Sequence, residues 1–231
     1  MQQSVSKSLP AGGQPVFSRA SFYNNSFLGM FFRASDELLL APPNSPHKCL
    51  QSAEEALGVP VHRTWLAQSN LLGVFSAMNS RGVVLSPLAE KSEVAALRKL
   101  GLNSMLLSGL SPGNNVLAND RAALASHRVD KKMLKKIGDC LGVEVVQHRF
   151  GTPSLITSSV VTNRGLLTHN ELTDTELKFL EKMFGVRGVQ GTVNAGAVFN
   201  GLGIVANKNG AVAGEATTGF EMQRIYEALF S

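Results

Sequence analysis

The sequence predicts an α/β protein in which five strand–strand–helix–strand units close into a ring with five-fold pseudosymmetry. Three observations predict it. A helix-ending signature recurs as Ala56-Leu57-Gly58-Val59, Lys99-Leu100-Gly101-Leu102, Cys140-Leu141-Gly142-Val143 and Met183-Phe184-Gly185-Val186, its glycines 43, 41 and 43 residues apart. A polar turn feeding an apolar strand recurs on the same period. It runs through Asn79-Ser80-Arg81-Gly82, Asn119-Asp120-Arg121-Ala122, Thr162-Asn163-Arg164-Gly165 and Asn207-Lys208-Asn209-Gly210, with Asn79, Asn119, Asn163 and Asn207 spaced by 40, 44 and 44. A degenerate first copy stands at Ser35-Asp36-Glu37 before Leu38-Leu39-Leu40. Finally, the fifth helix ends where the chain ends, while an extended segment near the N-terminus has no helix before it.

Each unit follows one local logic. An apolar strand enters the Asn/Gly turn, whose residues tolerate positive φ, and a second strand returns. A helix follows. Ser52 with Glu55, Thr173 with Glu176 and Thr218 with Glu221 have the spacing of a capping box, which satisfies orphan N–H groups at a helix start. The glycine after each helix suits a left-handed C′ position. A third strand then completes the unit, as in Val143-Glu144-Val145-Val146. The fifth helix, Glu221 to Phe230, lacks that strand, and Val16 to Phe22 is expected to supply it. A helix with one apolar stripe cannot bury it alone, so the units must pack on one another as a single domain over residues 19–231. Residues 1–18, rich in Ser, Gly and Pro and without periodicity, are expected to form a flexible tail. One lysine, no arginine and no apolar stretch in that tail argue against a targeting segment.

Composition narrows the function classes. The chain has 231 residues, 44% hydrophobic and 17% charged, with a formal net charge of +5. That is globular composition, and no window approaches the roughly 18 apolar residues of a spanning helix. Two cysteines, Cys49 and Cys140, make neither a disulfide scaffold nor a zinc spacing, so a reducing compartment is expected. The mild positive charge permits contact with nucleic acid without demanding it.

The segments Arg19-Ala20-Ser21-Phe22-Tyr23-Asn24-Asn25, Leu110-Ser111-Pro112-Gly113-Asn114, Thr162 through His169, Gly191-Thr192-Val193-Asn194-Ala195-Gly196 and Thr217-Thr218-Gly219-Phe220-Glu221 resemble the translation initiation factor 6 family, with an ending closer to its archaeal branch. The resemblance covers all five repeats. It implies the pentein fold, a five-bladed α/β propeller. It also implies a ribosome anti-association factor that binds the large ribosomal subunit at its joining face, blocks the small subunit sterically and accompanies late subunit maturation. Ribosomal proteins are then the expected partners, with rRNA as an additional contact and no DNA or membrane. The factor would be cytoplasmic, monomeric and free of cofactor and metal. The Leu110–Asn114 loop is one residue shorter than the family's usual Leu-Ser-Ala-Leu-Gly-Asn. Val74 stands where the eukaryotic branch often carries Arg, and the tail before Arg19 is not a family feature.

Turn residues at a rigid face offer donors and acceptors with little entropy left to lose. The expected binding face therefore comprises Asn79, Arg81, Gly113, Asn114, Asn119, Asn163, Asn194 and Gly196. The bland reading is that these asparagines only set turn geometry. The run Lys131-Lys132-Met133-Leu134-Lys135-Lys136 places its lysines on one helix side, which reads as a solvated face before it reads as an rRNA contact.

Enzyme readings fare worse. Gly109-Leu110-Ser111-Pro112-Gly113 has the spacing of a nucleophile elbow, but Pro112 has no N–H to donate and a strand-like run follows. Penteins include guanidino-modifying enzymes of the deiminase or amidinotransferase type, whose cysteine nucleophile stands late in the chain, and no cysteine follows Cys140. Cys49 is the remaining suspect. A ring-shaped scaffold for another partner is the third reading. The histidines at 47, 62, 127, 148 and 169 have no metal spacing, and His127 and His169 are read as matching strand-end residues.

Overall fold

The computed structural model describes residues 14–151 and 155–231. It contains five three-stranded sheets, each with one long helix. The first is β2 (Arg33–Ala34), β3 (Leu39–Ala41) and β4 (Val61–Arg63), with helix α1 (His47–Leu57). The second is β5 (Ser76–Met78), β6 (Gly82–Leu85) and β7 (Asn103–Leu106), with α3 (Lys91–Lys99). The third is β8 (Val116–Ala118), β9 (Ala122–Ala125) and β10 (Glu144–Gln147), with α5 (Lys131–Leu141). The fourth is β11 (Val160–Val161), β12 (Gly165–Thr168) and β13 (Arg187–Gln190), with α6 (Asp174–Phe184). In the fifth, β14 (Ile204–Ala206) and β15 (Gly210–Gly214) precede α8 (Gly219–Phe230), and the third strand is the N-terminal β1 (Val16–Ala20).

In every sheet the middle strand pairs antiparallel with the first and parallel with the third. Strand β1 runs parallel to β15 from Val16 opposite Gly210 to Ala20 opposite Gly214, so the N-terminal segment completes the fifth sheet. The first strands touch in sequence: β2 lies against β5, β5 against β8, β8 against β11, β11 against β14, and β14 against β2. Each helix leans on the preceding sheet. Helix α1 packs on β1 and β15, α5 on β6 and β7, and α8 on β12 and β13. The apolar core is divided to match, into five clusters that each draw on two neighbouring units. Ile137 and Leu141 of α5, for example, are buried against Val84 of the second sheet and Ala123 and Ala125 of the third. No unit could bury its helix stripe without its neighbour.

Four short helical turns precede the first strands and were not expected from the sequence: a 3-10 turn at Leu28–Met30, α2 (Leu72–Phe75), α4 (Pro112–Asn115) and α7 (Asn200–Gly203). They are stacked backbone on backbone. A Cβ at Gly73 would collide with the Gly29 carbonyl, one at Gly113 with that of Gly73, and one at Gly29 with that of Gly201. The glycines recur on the repeat period, which is the signal that would have revealed them.

Several local expectations are corrected. Strand β1 takes in residues 16–18, which the tail reading had claimed, and residues 1–13 lie outside the described residues. Ser52 sits inside α1, whose N-cap is Pro46, so Ser52 and Glu55 form no capping box. The box appears instead at Glu90 and Glu93, as it does at Thr173 with Glu176 and Thr218 with Glu221. The C′ glycines Gly58, Gly101, Gly142 and Gly185 all have positive φ. The Asn/Gly turns do not. Gly82 is required by close approach, since a Cβ there would strike the Cys140 carbonyl of the neighbouring helix. Among the described residues no helix is long and apolar enough to cross a membrane.

Candidate functional site

Strand direction gives the units two common ends. One holds the polar turns between first and second strands and the C-termini of the long helices. The other holds the short helical turns, the loops after the third strands and the N-termini of the long helices. The first is called here the turn end and the second the loop end.

At the turn end a single side chain closes each turn. Asn79 Oδ1 accepts from the Arg81 and Gly82 amides at 3.0 Å. Asn119 accepts from Arg121 and Ala122, and Asn207 from Asn209 and Gly210. Ser35 Oγ and Thr162 Oγ1 do the same in their units. Thr162, not Asn163, is therefore the counterpart of Asn79 and Asn119. The asparagine amides then reach into the next unit. Asn79 Nδ2 donates to the Asn119 and Leu141 carbonyls, Asn119 Nδ2 to Thr162 and Phe184, and Asn207 Nδ2 to Ser35 and Leu57. Asn79 and Asn119 are only 3% and 4% exposed, so as face residues they present nothing outward.

Arg81 is exposed, yet its guanidinium caps the C-terminus of α5 through the Leu141 carbonyl. Arg121 does this for α6 through Gly185, and Arg164 for α8 through Phe230. A cation there offsets the negative end of the helix dipole. One residue earlier in each turn, Asp36, Ser80, Asp120, Asn163 and Lys208 form a polar girdle. Asn163 Nδ2 donates to Asp36 and Asp120 at 2.7 and 2.6 Å. Ser80 donates to Asp120 through both its amide and hydroxyl, and the Lys208 amide donates to Asp36. Burial pushes the Asp120 carboxyl up, but bonds from Ser80 and Asn163 and the charge of Arg81 outweigh it and hold the acid below its ordinary range.

The loop end is built differently. Among the described residues, three loops carry non-glycine residues at positive φ: Tyr23 and Asn24, Ala67 and Gln68, Asn194 and Ala195. Two of them are clamped by the helix-start carboxylate of a neighbouring unit. The Ala67 amide donates to Glu93 at 2.9 Å and the Gly196 amide to Glu221 at 2.8 Å. Burial raises Glu221, but bonds from Thr218, Gly196 and Thr192 leave it below its ordinary range. Asn194 spends its side chain on Ser26 and Thr217, and Gly113 is part of the glycine stack. Asn114 is exposed. The loops at this end also expose large apolar side chains, with Tyr23 at 64%, Leu88 at 68% and Phe220 at 74%, joined by Trp65, Val198 and Phe199.

The eight residues expected to share one face thus divide. Asn79, Arg81, Asn119 and Asn163 lie at the turn end, whereas Gly113, Asn114, Asn194 and Gly196 lie at the loop end. The apolar loop residues were missed. Their signal was an aromatic set among turn formers, as in Phe22-Tyr23-Asn24-Asn25 and Thr218-Gly219-Phe220. Lys131, Lys132, Lys135 and Lys136 are all exposed on α5.

The model of the eIF-6 family matches residues 17–228. The chain belongs to the eIF-6 family. Translation initiation factor 6 of Pyrobaculum aerophilum is 36% identical over 210 residues, covering 90% of this chain and 96% of that protein. Translation initiation factor 6 of Thermococcus onnurineus is 37% identical over 220 residues, covering 91% and 96%. Among solved structures, a dimethylarginine dimethylaminohydrolase in adduct with S-methyl-L-thiocitrulline aligns at 11% identity and a TM-score of 0.42, covering 82% of this chain and 79% of that one. A likeness at that level carries neither fold nor chemistry.

The eIF-6 family is one of translation factors. Cys49 is buried and its thiol pushed up to about 12, and Cys140, also buried, is pushed up to about 11, so neither offers a thiolate near neutral pH. His169 is buried, which lowers its pKa, and its Nδ1 accepts from the Glu171 amide. Ser126 accepts from Arg128 in the same way, so the repeat counterpart of His169 is Ser126 and not His127. Among the described residues no group of three or more His, Cys, Asp or Glu side chains is placed to hold a metal.

Proposed function

We propose that the five sheets form the five-bladed α/β propeller of the penteins, and that this propeller is an anti-association factor. It binds the large ribosomal subunit on the face that meets the small subunit, prevents joining by occupying that space, and takes part in late maturation of the large subunit. Ribosomal proteins are its main contacts. It works as a cytoplasmic monomer and catalyses nothing.

The observation that carries this reading is the loop end, which exposes Asn114 and, on other loops, aromatic and aliphatic side chains on a braced backbone. Aromatic anchors with polar neighbours are what strong binding patches are made of. A rigid backbone keeps the ordering cost of binding small. A steric blocker needs about 1,200–2,000 Å² of total interface, which a face built from five units can supply. Family membership across residues 17–228 supports the same reading. The turn end is the poorer surface, because its asparagines are spent internally.

The test is co-sedimentation of the full chain with purified large and small subunits, with joining followed in the same gradients. Stoichiometric binding to the large subunit alone, with fewer joined particles, is the expected result. Absence of binding across moderate salt would overturn it and leave the fold assignment untouched.

A further inference from the structure

The chain has one tryptophan, Trp65, and it stands at the loop end just past β4. The ring is 39% exposed. It lines an open groove of about 470 Å³ between the first and second units, with Pro43, Arg63, Gln68, Glu90 and Glu93. Tyr23, also exposed, donates its hydroxyl to the carbonyl of Asn44, the neighbour of Pro43. A second aromatic ring therefore stands beside that wall.

The groove is braced, and its excess charge is negative. Glu93 holds the loop after Trp65 by accepting from the Ala67 and Gln68 amides at 2.9 and 3.3 Å, and it closes the α3 capping box by accepting from the Glu90 amide at 2.8 Å. Glu90 takes the N-cap position that α6 and α8 give to the neutral Thr173 and Thr218. A capping box needs no charge at that position. Glu90 adds one, and it is exposed. Its carboxylate accepts from the uncharged Gln68 amide at 2.6 Å. Among the described residues neither Glu90 nor Glu93 forms an ion pair. Two carboxylates thus line the groove against one cation, Arg63, in a chain whose net charge is +5.

Given the loop end as the ribosome face, on which this rests, we propose that the groove receives one basic side chain, arginine or lysine, of a ribosomal protein. Three features set the partner's chemistry. The negative face of an indole ring attracts a cation. The excess carboxylate attracts the same cation and repels phosphate, so this part of the face takes protein and not the rRNA backbone. The aliphatic stem of arginine or lysine suits Trp65 and Pro43 while its charged head stays in water near Glu90. A tryptophan on a loop already clamped by Glu93 has little freedom left to lose, which makes it a strong anchor.

The test is hydroxyl-radical footprinting of the full chain, free and bound to purified large subunits, with oxidation of Trp65 read by mass spectrometry. Marked protection of Trp65 in the bound state is expected. Subunit affinity of variants then gives the sign of the charge. Trp65→Ala and Glu90→Lys should each weaken binding at least about tenfold, and Glu90→Gln about threefold. Arg63→Gln should leave affinity unchanged or tighten it, since it removes a competing cation. A bound chain whose Trp65 stays fully reactive would overturn this proposal alone. Tighter binding by Glu90→Lys, or weaker binding by Arg63→Gln, would overturn it in favour of an anion such as rRNA phosphate. A parent chain that does not bind the subunit would overturn the ribosome reading and this proposal together. The footprint needs no variant, so it stands even if one fails to fold.

Discussion

The two ends of this molecule use the same kinds of residue for opposite purposes. At the turn end, polar side chains point inward and join one unit to the next: Asn79 to the third, Asn119 to the fourth, Asn207 to the first. At the loop end, carboxylates such as Glu93 and Glu221 tie down backbone amides, which frees loop side chains to face outward. The lesson is that an asparagine in a turn is not by itself a surface feature. Its exposure depends on whether the neighbouring backbone supplies partners. Burying an amide with all its bonds made is inexpensive, whereas losing one bond costs about 1–3 kcal/mol.

The sharpest way to break the comparison is to disturb the packing that holds both ends together. Gly73→Ala forces a methyl into the Gly29 carbonyl, with backbone on both sides and nothing flexible to yield. It should cost at least about 3 kcal/mol and drop the melting temperature by about 10 °C or leave no soluble protein, as thermal unfolding would show. Asn119→Ala comes next. It orphans the Thr162 and Phe184 carbonyls and the Arg121 and Ala122 amides, and should cost about 2–4 kcal/mol. Affinity for the large subunit should be unchanged at temperatures where the variant is folded. Weakened binding by a folded Asn119→Ala protein would place the turn end in the interface.

A smaller effect is read from pH. Asp120 has a lowered pKa in the folded protein, so it adds stability above its ordinary value of 3.8 that is lost as pH falls through the lower folded value. Asp120→Asn should therefore be less stable than the parent at pH 7, and the gap should close in urea titrations carried below pH 3.8. A gap independent of pH would mean that the carboxylate charge is not what holds the girdle. The smallest effect belongs to the basic helix. Changing both Lys131 and Lys135 to Glu should alter subunit affinity by less than about threefold, since charge runs on a helix face usually solvate it. A larger loss, steepening at low salt, would reveal a phosphate contact.

Much of this architecture could be read from the sequence because it repeats. The glycines after the helices, the turn residues and the spare N-terminal strand each carry a period, and period is a strong signal in an array. The division of the candidate site into two ends was not read, although it was within reach. Asn114 and Asn119 stand five residues apart with β8 between them, and a strand of that length separates its ends by about 10 Å. The one-residue shift between Asn163 and Thr162 escaped notice because threonine can close the turn as asparagine does, so matching letters misaligned matching roles.

The most direct measurement is the affinity of Asn114→Arg for the purified large subunit, taken with its melting temperature. Asn114 is exposed at the loop end, so a bulky cation there should weaken binding at least tenfold and shift the melting temperature by no more than about 2 °C. Unchanged affinity in a normally stable protein would contradict the assignment of the loop end as the face that meets the ribosome.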